Sequence, residues 1–142
     1  MKNSFELTVT KVIPASRKEV FEAWLDPQAL ARFMKPMEGL LDCKTEVDPR
    51  EGGSFLIVMR VGDIEVPHRG EYKTISRFDR LVFTWLSEHI NPGSTVTLDF
   101  KERGPRETEL TLHHVGFSSD AQRASHEKGW NSIIETLAGD LA

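Results

Sequence analysis

The sequence predicts an α+β fold. A curved antiparallel sheet of about six to seven strands wraps around a long C-terminal helix, with two short helices after the first strand. Three observations lead there. From residue 40 to residue 115, apolar residues alternate in segments whose spacing is about the 8–12 residues of a meandering sheet. The breaks between those segments are too short to hold a crossover helix, which leaves antiparallel pairing. The final segment, 118–142, carries its apolar residues at helical spacing, so strands and helices are segregated along the chain.

Each element follows in order. In residues 4–13, "SFELTVTKVI", Phe5, Leu7 and Val9 face one way and Glu6, Thr8 and Thr10 the other, the pattern of a half-buried strand. Pro14 ends it. Ser16 and Glu19 then form a capping box, and Val20, Phe21, Trp24 and Leu25 make one helical stripe. Asp26-Pro27 breaks this helix and starts a second, whose apolar residues are Leu30, Phe33 and Met34 and which Pro36 stops. Strands are predicted near 40–48, 53–61, 66–76, 80–87, 94–102 and 107–115. The breaks between them fall at Asp48-Pro49, Gly52-Gly53, Gly62-Asp63, Arg77-Phe78-Asp79, Asn91-Pro92-Gly93 and Gly104-Pro105. Ser119 and Gln122 cap the last helix, and Trp130, Ile133, Ile134, Leu137 and Leu141 form its stripe. Some 19 residues at 1.5 Å each give roughly 28 Å, enough to cross a sheet. A strongly twisted sheet of this size tends to curl, and curled around one helix it leaves space beneath.

The 142 residues predict one domain, 1–142, with no disulfide or metal staple needed for its core. Lys and Arg number 18 and Asp and Glu 22, for a net charge of −4 with no block of like charge. No nucleic-acid partner is expected on that balance. No run approaches the ~20 apolar residues of a membrane span, and the N-terminus shows no secretory signal. The lone Cys43 allows no intrachain disulfide and suits a cytoplasmic location. Neither a cofactor nor a metal is expected. His113 and His114 point oppositely on a strand, and no carboxylate or second cysteine stands at ligand spacing. No Gly-x-Ser-x-Gly elbow occurs, and Gly52-Gly53 in "DPREGGSF" reads as a turn or bulge, not a phosphate loop.

The segments "VFEAWLDPQAL", "DPREGGSF", "RGEYKTI", "RLVFTW", "TELTLHHVGF" and "HEKGW" occur in an order and spacing that resembles the SRPBCC superfamily, the START-like or Bet v 1-like helix-grip fold. The nearest subgroup is the one homologous to the C-terminal domain of the ATPase activator of the ninety-kilodalton heat-shock chaperone. The resemblance covers the chain from about Phe5 to Leu141. It implies a deep apolar cavity between the long helix and the sheet, of the kind that often holds a lipid, sterol or polyketide. It implies no shared catalytic residue set. The expected function is therefore binding of a hydrophobic small molecule, lipid, polyketide or aromatic-like, as carrier or sensor. Two alternatives stand beside it. One is an enzyme of cyclase, hydrolase or isomerase type working in the same cavity. The other is a co-chaperone-like protein-binding module, with a chaperone as partner and a link to stress response. Either a monomer or a homodimer fits.

In "RGEYKTISRFDRLVFTW" the charged set Arg69, Glu71, Lys73 faces outward, which turns Gly70, Tyr72, Phe83 and Trp85 toward the cavity. The other expected lining residues are Trp24, Phe33, Met34 and Met37 from the short helices and their exit. Ile57 and Met59 come from the third strand, unless their neighbours Leu56 and Val58 face inward instead. Leu98, Leu112 and His114 come from the last two strands, and His126, Trp130, Ile134 and Leu137 from the long helix. His114 and His126 are the polar candidates, either as a proton-transfer pair or ligand anchors, or as structural histidines bonded to backbone.

Overall fold

The structure, a computed structural model, describes residues 5–35, 40–87 and 90–142. Its strands are β1 (Phe5–Ile13), β2 (Leu40–Val47), β3 (Ser54–Val61), β4 (Ile64–Ser76), β5 (Arg80–Ser87), β6 (Ile90–Gly104) and β7 (Glu107–Phe117). Its helices are α1 (Arg17–Ala23), α2 (Pro27–Phe33) and α3 (Asp120–Leu141). The strands join in one curved sheet in the order β1-β7-β6-β5-β4-β3-β2, and every pair is antiparallel. The first strand thus closes on the last, and the five hairpins between them run outward to β2.

The helix starts form as their sequences dictate. Ser16 Oγ accepts from the Glu19 amide at 3.2 Å, and the Glu19 carboxylate accepts from the Ser16 amide at 3.3 Å. Asp26 accepts from the Gln28 amide at 3.0 Å, with Pro27 in the first turn, where it lacks nothing the helix would use. Ser119 Oγ accepts from the Gln122 amide at 3.1 Å, while the Gln122 side chain reaches back one residue further, to the Ser118 amide.

Register carries the inward residues across the sheet in rows. One row is Leu7, His114, Val96, Phe83 and Tyr72; the next is Val9, Leu112, Leu98 and Leu81. The second row is wholly aliphatic, and Leu112, Leu98 and Leu81 have no exposed surface. On β3 both alternate sets are apolar. Phe55, Ile57 and Met59 are the buried set, and Leu56 and Val58 lie half-buried on the other face.

Two elements differ from the expectation. Asn91-Pro92-Gly93 is not the turn; β6 begins at Ile90, which pairs with Ser87. The ladder with β7 runs from Thr95 to Gly104, and the expected turn residues 91–93 fall within the span of β6. The second difference is the path of α3. It packs chiefly against β1 and also touches β7 and α2, while Trp130 reaches across to Trp85 on β5. Strand order explains this. Because β1 pairs with β7, the chain leaving β7 turns back directly onto β1. Ser132 Oγ on α3 also donates to the Lys35 carbonyl at the exit of α2, at 2.9 Å. The concave face therefore has two covers. The C-terminal half of α3, through Trp130, Ile133, Ile134, Leu137 and Ala138, covers one end. The exit of α1, with α2, covers the other, α2 lying against β2.

Candidate functional site

Two groups of buried polar side chains lie on the concave face, and they are built differently. The first sits under α3. Trp130 Nε1–H donates to His114 Nδ1 at 2.9 Å. An indole N–H can only donate, so this contact fixes the tautomer, and His114 Nε2 carries the proton. Nε2–H then donates to Ser94 Oγ at 2.6 Å, and the Ser94 hydroxyl donates to the Trp85 carbonyl at 3.0 Å. The relay ends on backbone with both histidine nitrogens engaged. Burial, with the neighbouring His126 and His113, drives the His114 pKa from 6.5 down to about 3, so the ring is neutral. His126 stands edge-on to it, with ring centroids 5.6 Å apart, and donates from Nδ1 to the Gln122 carbonyl at 2.8 Å. The two histidines meet, but His114 is spent on structure and has no nitrogen left for a ligand. Neither lines the cavity described next.

The second group lies under α2. Trp24, Leu30 and Met34 from the helical cover meet Phe55, Ile57, Tyr72, Phe83 and Trp85 from the sheet around a small void. Its free volume is about 10 Å³, the threshold for a single water. No charged side chain is on its wall. The aromatic rings interlock: Trp24 lies 4.9 Å from Phe33, Phe55 lies 5.4 Å from both Tyr72 and Phe83, and His68 lies 5.0 Å from Trp85. Trp130 joins the two groups, with its centroid 5.0 Å from Trp85 and 6.3 Å from Trp24. Yet while Trp130 has its acceptor, the indole N–H groups of Trp24 and Trp85 have none, although the residues are only 2% and 3% exposed. An unpartnered buried N–H costs on the order of 1–3 kcal/mol. Tyr72 is buried beside them, and burial together with the charge of Asp48 raises its phenol pKa well above the usual value, so it stays protonated.

Gly70 answers for part of the packing. It pairs with Phe55 across β3 and β4, and a Cβ there would lie 2.0 Å from the Thr84 carbonyl and 2.3 Å from the Phe55 ring. Only glycine lets that ring lie flat on the sheet. Gly70 is not among the residues around the void; it is the slot that Phe55 fills.

The residues expected from sequence divide as follows. Trp24, Met34, Ile57, Tyr72, Phe83 and Trp85 line the void. Phe33, Met59, Leu98, Leu112, Ile134 and Leu137 are core beside or beyond it; His114 and Trp130 belong to the relay under α3, and His126 stands edge-on beside it. Met37 lies outside the described residues. Leu30, Phe55 and His68 were missed. His68 shares its parity with Gly70 and Tyr72, so the same alternation points to it, and Phe55 shares that of Ile57.

A larger hollow, of about 390 Å³, opens on the outer face across β2, β3 and β4, between Glu46, Ser54, Leu56 and Arg69. It is an open, mixed-polarity groove with no convergent chemistry. Cys43 is half-buried, and burial raises its thiol to about 11, which makes it a poor nucleophile. Among the described residues no three His, Cys, Asp or Glu side chains gather as a metal would need, and no helix is long and apolar enough to cross a membrane.

A curved antiparallel sheet gripping a C-terminal helix, with two short helices after the first strand and an aromatic pocket beneath them, defines the helix-grip class. Within it, residues 14–142 match the model of the Activator of Hsp90 ATPase homolog 1-like protein family, and the chain belongs to that family. No curated protein matches the chain. Among solved structures, protein CV1439 of Chromobacterium violaceum is 23% identical with a TM-score of 0.86, and 96% of each chain is covered. The AHSA1 protein of Silicibacter pomeroyi is also 23% identical, with a TM-score of 0.81 over 96% of this chain and 97% of that one. CalU16 of Micromonospora echinospora is 24% identical, with a TM-score of 0.72 over 96% of this chain and 76% of its own. At these identities the likeness speaks for the fold alone.

Proposed function

We propose that this protein binds a small, mainly apolar molecule in the aromatic void beneath α2, as a cytoplasmic carrier or sensor. One observation carries the reading: Trp24 and Met34 from the helices converge with Phe55, Tyr72 and Trp85 from the sheet on one void with uncharged walls. Apolar walls with a few polar groups are the usual make-up of a small-molecule site. The void is closed to about 10 Å³, so entry requires its cover to move. That cover is light. α2 has seven residues, and Met34, at its C-cap, has an unbranched and adaptable side chain. Opening lowers apparent affinity by the fraction of open protein, which favours small ligands held with modest strength.

The test is titration with an apolar aromatic probe, naphthalene, followed by tryptophan fluorescence. Saturable quenching at constant secondary structure supports the reading. Unchanged fluorescence up to the solubility limit overturns it. The family name raises a chaperone as partner instead. Capture of the ninety-kilodalton chaperone with stimulation of its ATPase, by protein that takes up no naphthalene, decides for that alternative.

A further inference from the structure

We infer that the unmet indole N–H groups of Trp24 and Trp85 are there for a neutral carbonyl oxygen of the bound molecule. The site then takes ketones, esters, quinones or lactones with an apolar body, in preference to hydrocarbons and carboxylates. This rests on the binding reading above and names its ligand class.

The chain satisfies its other buried tryptophan with care. Trp130 has His114, and the relay continues through Ser94 to a backbone carbonyl. Two of three indoles left without an acceptor, both belonging to residues that line one void, are a local exception to the rule that buried donors are paired. An indole N–H offers only a donor, so whatever completes the site supplies the acceptor. Its charge follows from the wall. Trp24, Leu30, Met34, Phe55, Ile57, Tyr72, Phe83 and Trp85 include no cation to balance a carboxylate, and an unbalanced buried charge is far costlier than a neutral dipole. The apolar body follows from the same rings. A hydrocarbon would fill the space but leave both N–H groups unmet.

Three probes of nearly one shape separate these cases: acetophenone, ethylbenzene, which replaces the carbonyl by a methylene, and benzoate. Binding is read on the intact ¹⁵N-labelled protein from the tryptophan indole resonances. Acetophenone is expected to bind about tenfold more tightly than ethylbenzene, the worth of roughly one net hydrogen bond. It should move the Trp24 and Trp85 indole protons downfield while that of Trp130 stays in place. Benzoate should bind more weakly than acetophenone. In Trp24→Phe and Trp85→Phe the ratio of acetophenone to ethylbenzene affinity should fall toward one, a readout that cancels the change in cavity volume. Equal affinities with no downfield shift overturn the carbonyl inference and leave the binding reading standing, whereas a site that holds only a water overturns both. Tighter binding of benzoate overturns the choice of a neutral ligand. No saturable binding of any of the three at millimolar concentration overturns both.

Discussion

Under α3 the buried polar atoms close on one another; under α2 two of them point at nothing the chain provides. The first region is aliphatic rows and a complete relay, with Ile134, Leu98, Leu112 and His114 at 0% exposure. The second is ring against ring, with a void at its centre and two unmet donors. Trp130 belongs to both, since its N–H serves the relay and its ring touches Trp85. The contrast teaches how one concave face can be divided. One end is packed for stability, and the other retains unsatisfied groups that add nothing to it. Protein interiors are close-packed and nearly fully hydrogen-bonded, so a departure confined to one place is where function is sought.

The comparison can be broken most sharply at His114. Replacing it with alanine leaves Trp130 and Ser94 without their partners and opens a cavity. We expect a loss of about 3–5 kcal/mol in denaturant unfolding, and a loss under 1 kcal/mol would show the relay to be idle. The same residue predicts a pH dependence. Its folded pKa is lowered from 6.5 to about 3, so between those values the unfolded chain binds a proton that the folded chain does not. The stabilisation from a neutral His114 is full above pH 6.5 and is lost on acidification, by up to about 1.4 kcal/mol per pH unit down to pH 3. The slope should vanish in His114→Gln, so the stability difference between wild type and variant should change with pH; a difference unchanged at every pH refutes the assignment.

A direct contrast comes from two like substitutions. Trp130→Phe removes a hydrogen bond and strands His114 Nδ1, while Trp85→Phe removes a donor that had no partner. The first should cost more than the second by about 1–3 kcal/mol in thermal or denaturant unfolding. Equal costs would mean that the two indoles are equivalent. Gly70→Ala should cost about 3 kcal/mol or more, because the new Cβ would lie 2.0 Å from the Thr84 backbone carbonyl as well as against the Phe55 ring, so strand and ring must both shift. It should also weaken probe binding, and full binding in that variant would take Phe55 off the wall.

Much of this was legible in the sequence. Alternation located the strands, and the capping residues Ser16, Asp26 and Ser119 located the helix starts, because both signals are local. What escaped depends on pairing between distant segments. The parity of β3 is invisible where Leu56 and Val58 are as apolar as Ile57 and Met59. Phe55 becomes a wall residue only because it faces Gly70 across the β3–β4 ladder. The path of α3 depends on β1 pairing with β7, which no window of sequence reveals. Beneath α3 the inward residues Ile134, Leu98, Leu112 and His114 are fully buried, and the small void lies under α2. Asn91-Pro92-Gly93 carries strong turn chemistry but falls within the span of β6.

The central claim is about place: the receptive region is under α2 and the packed region under α3. Methyl-labelled spectra titrated with acetophenone test it directly. The account predicts that the methyls of Met34, Leu30 and Ile57 shift and saturate together while those of Leu98, Ile134 and Leu137 hold still. Shifts centred on Ile134 and Leu137, with Met34 unmoved, would contradict it.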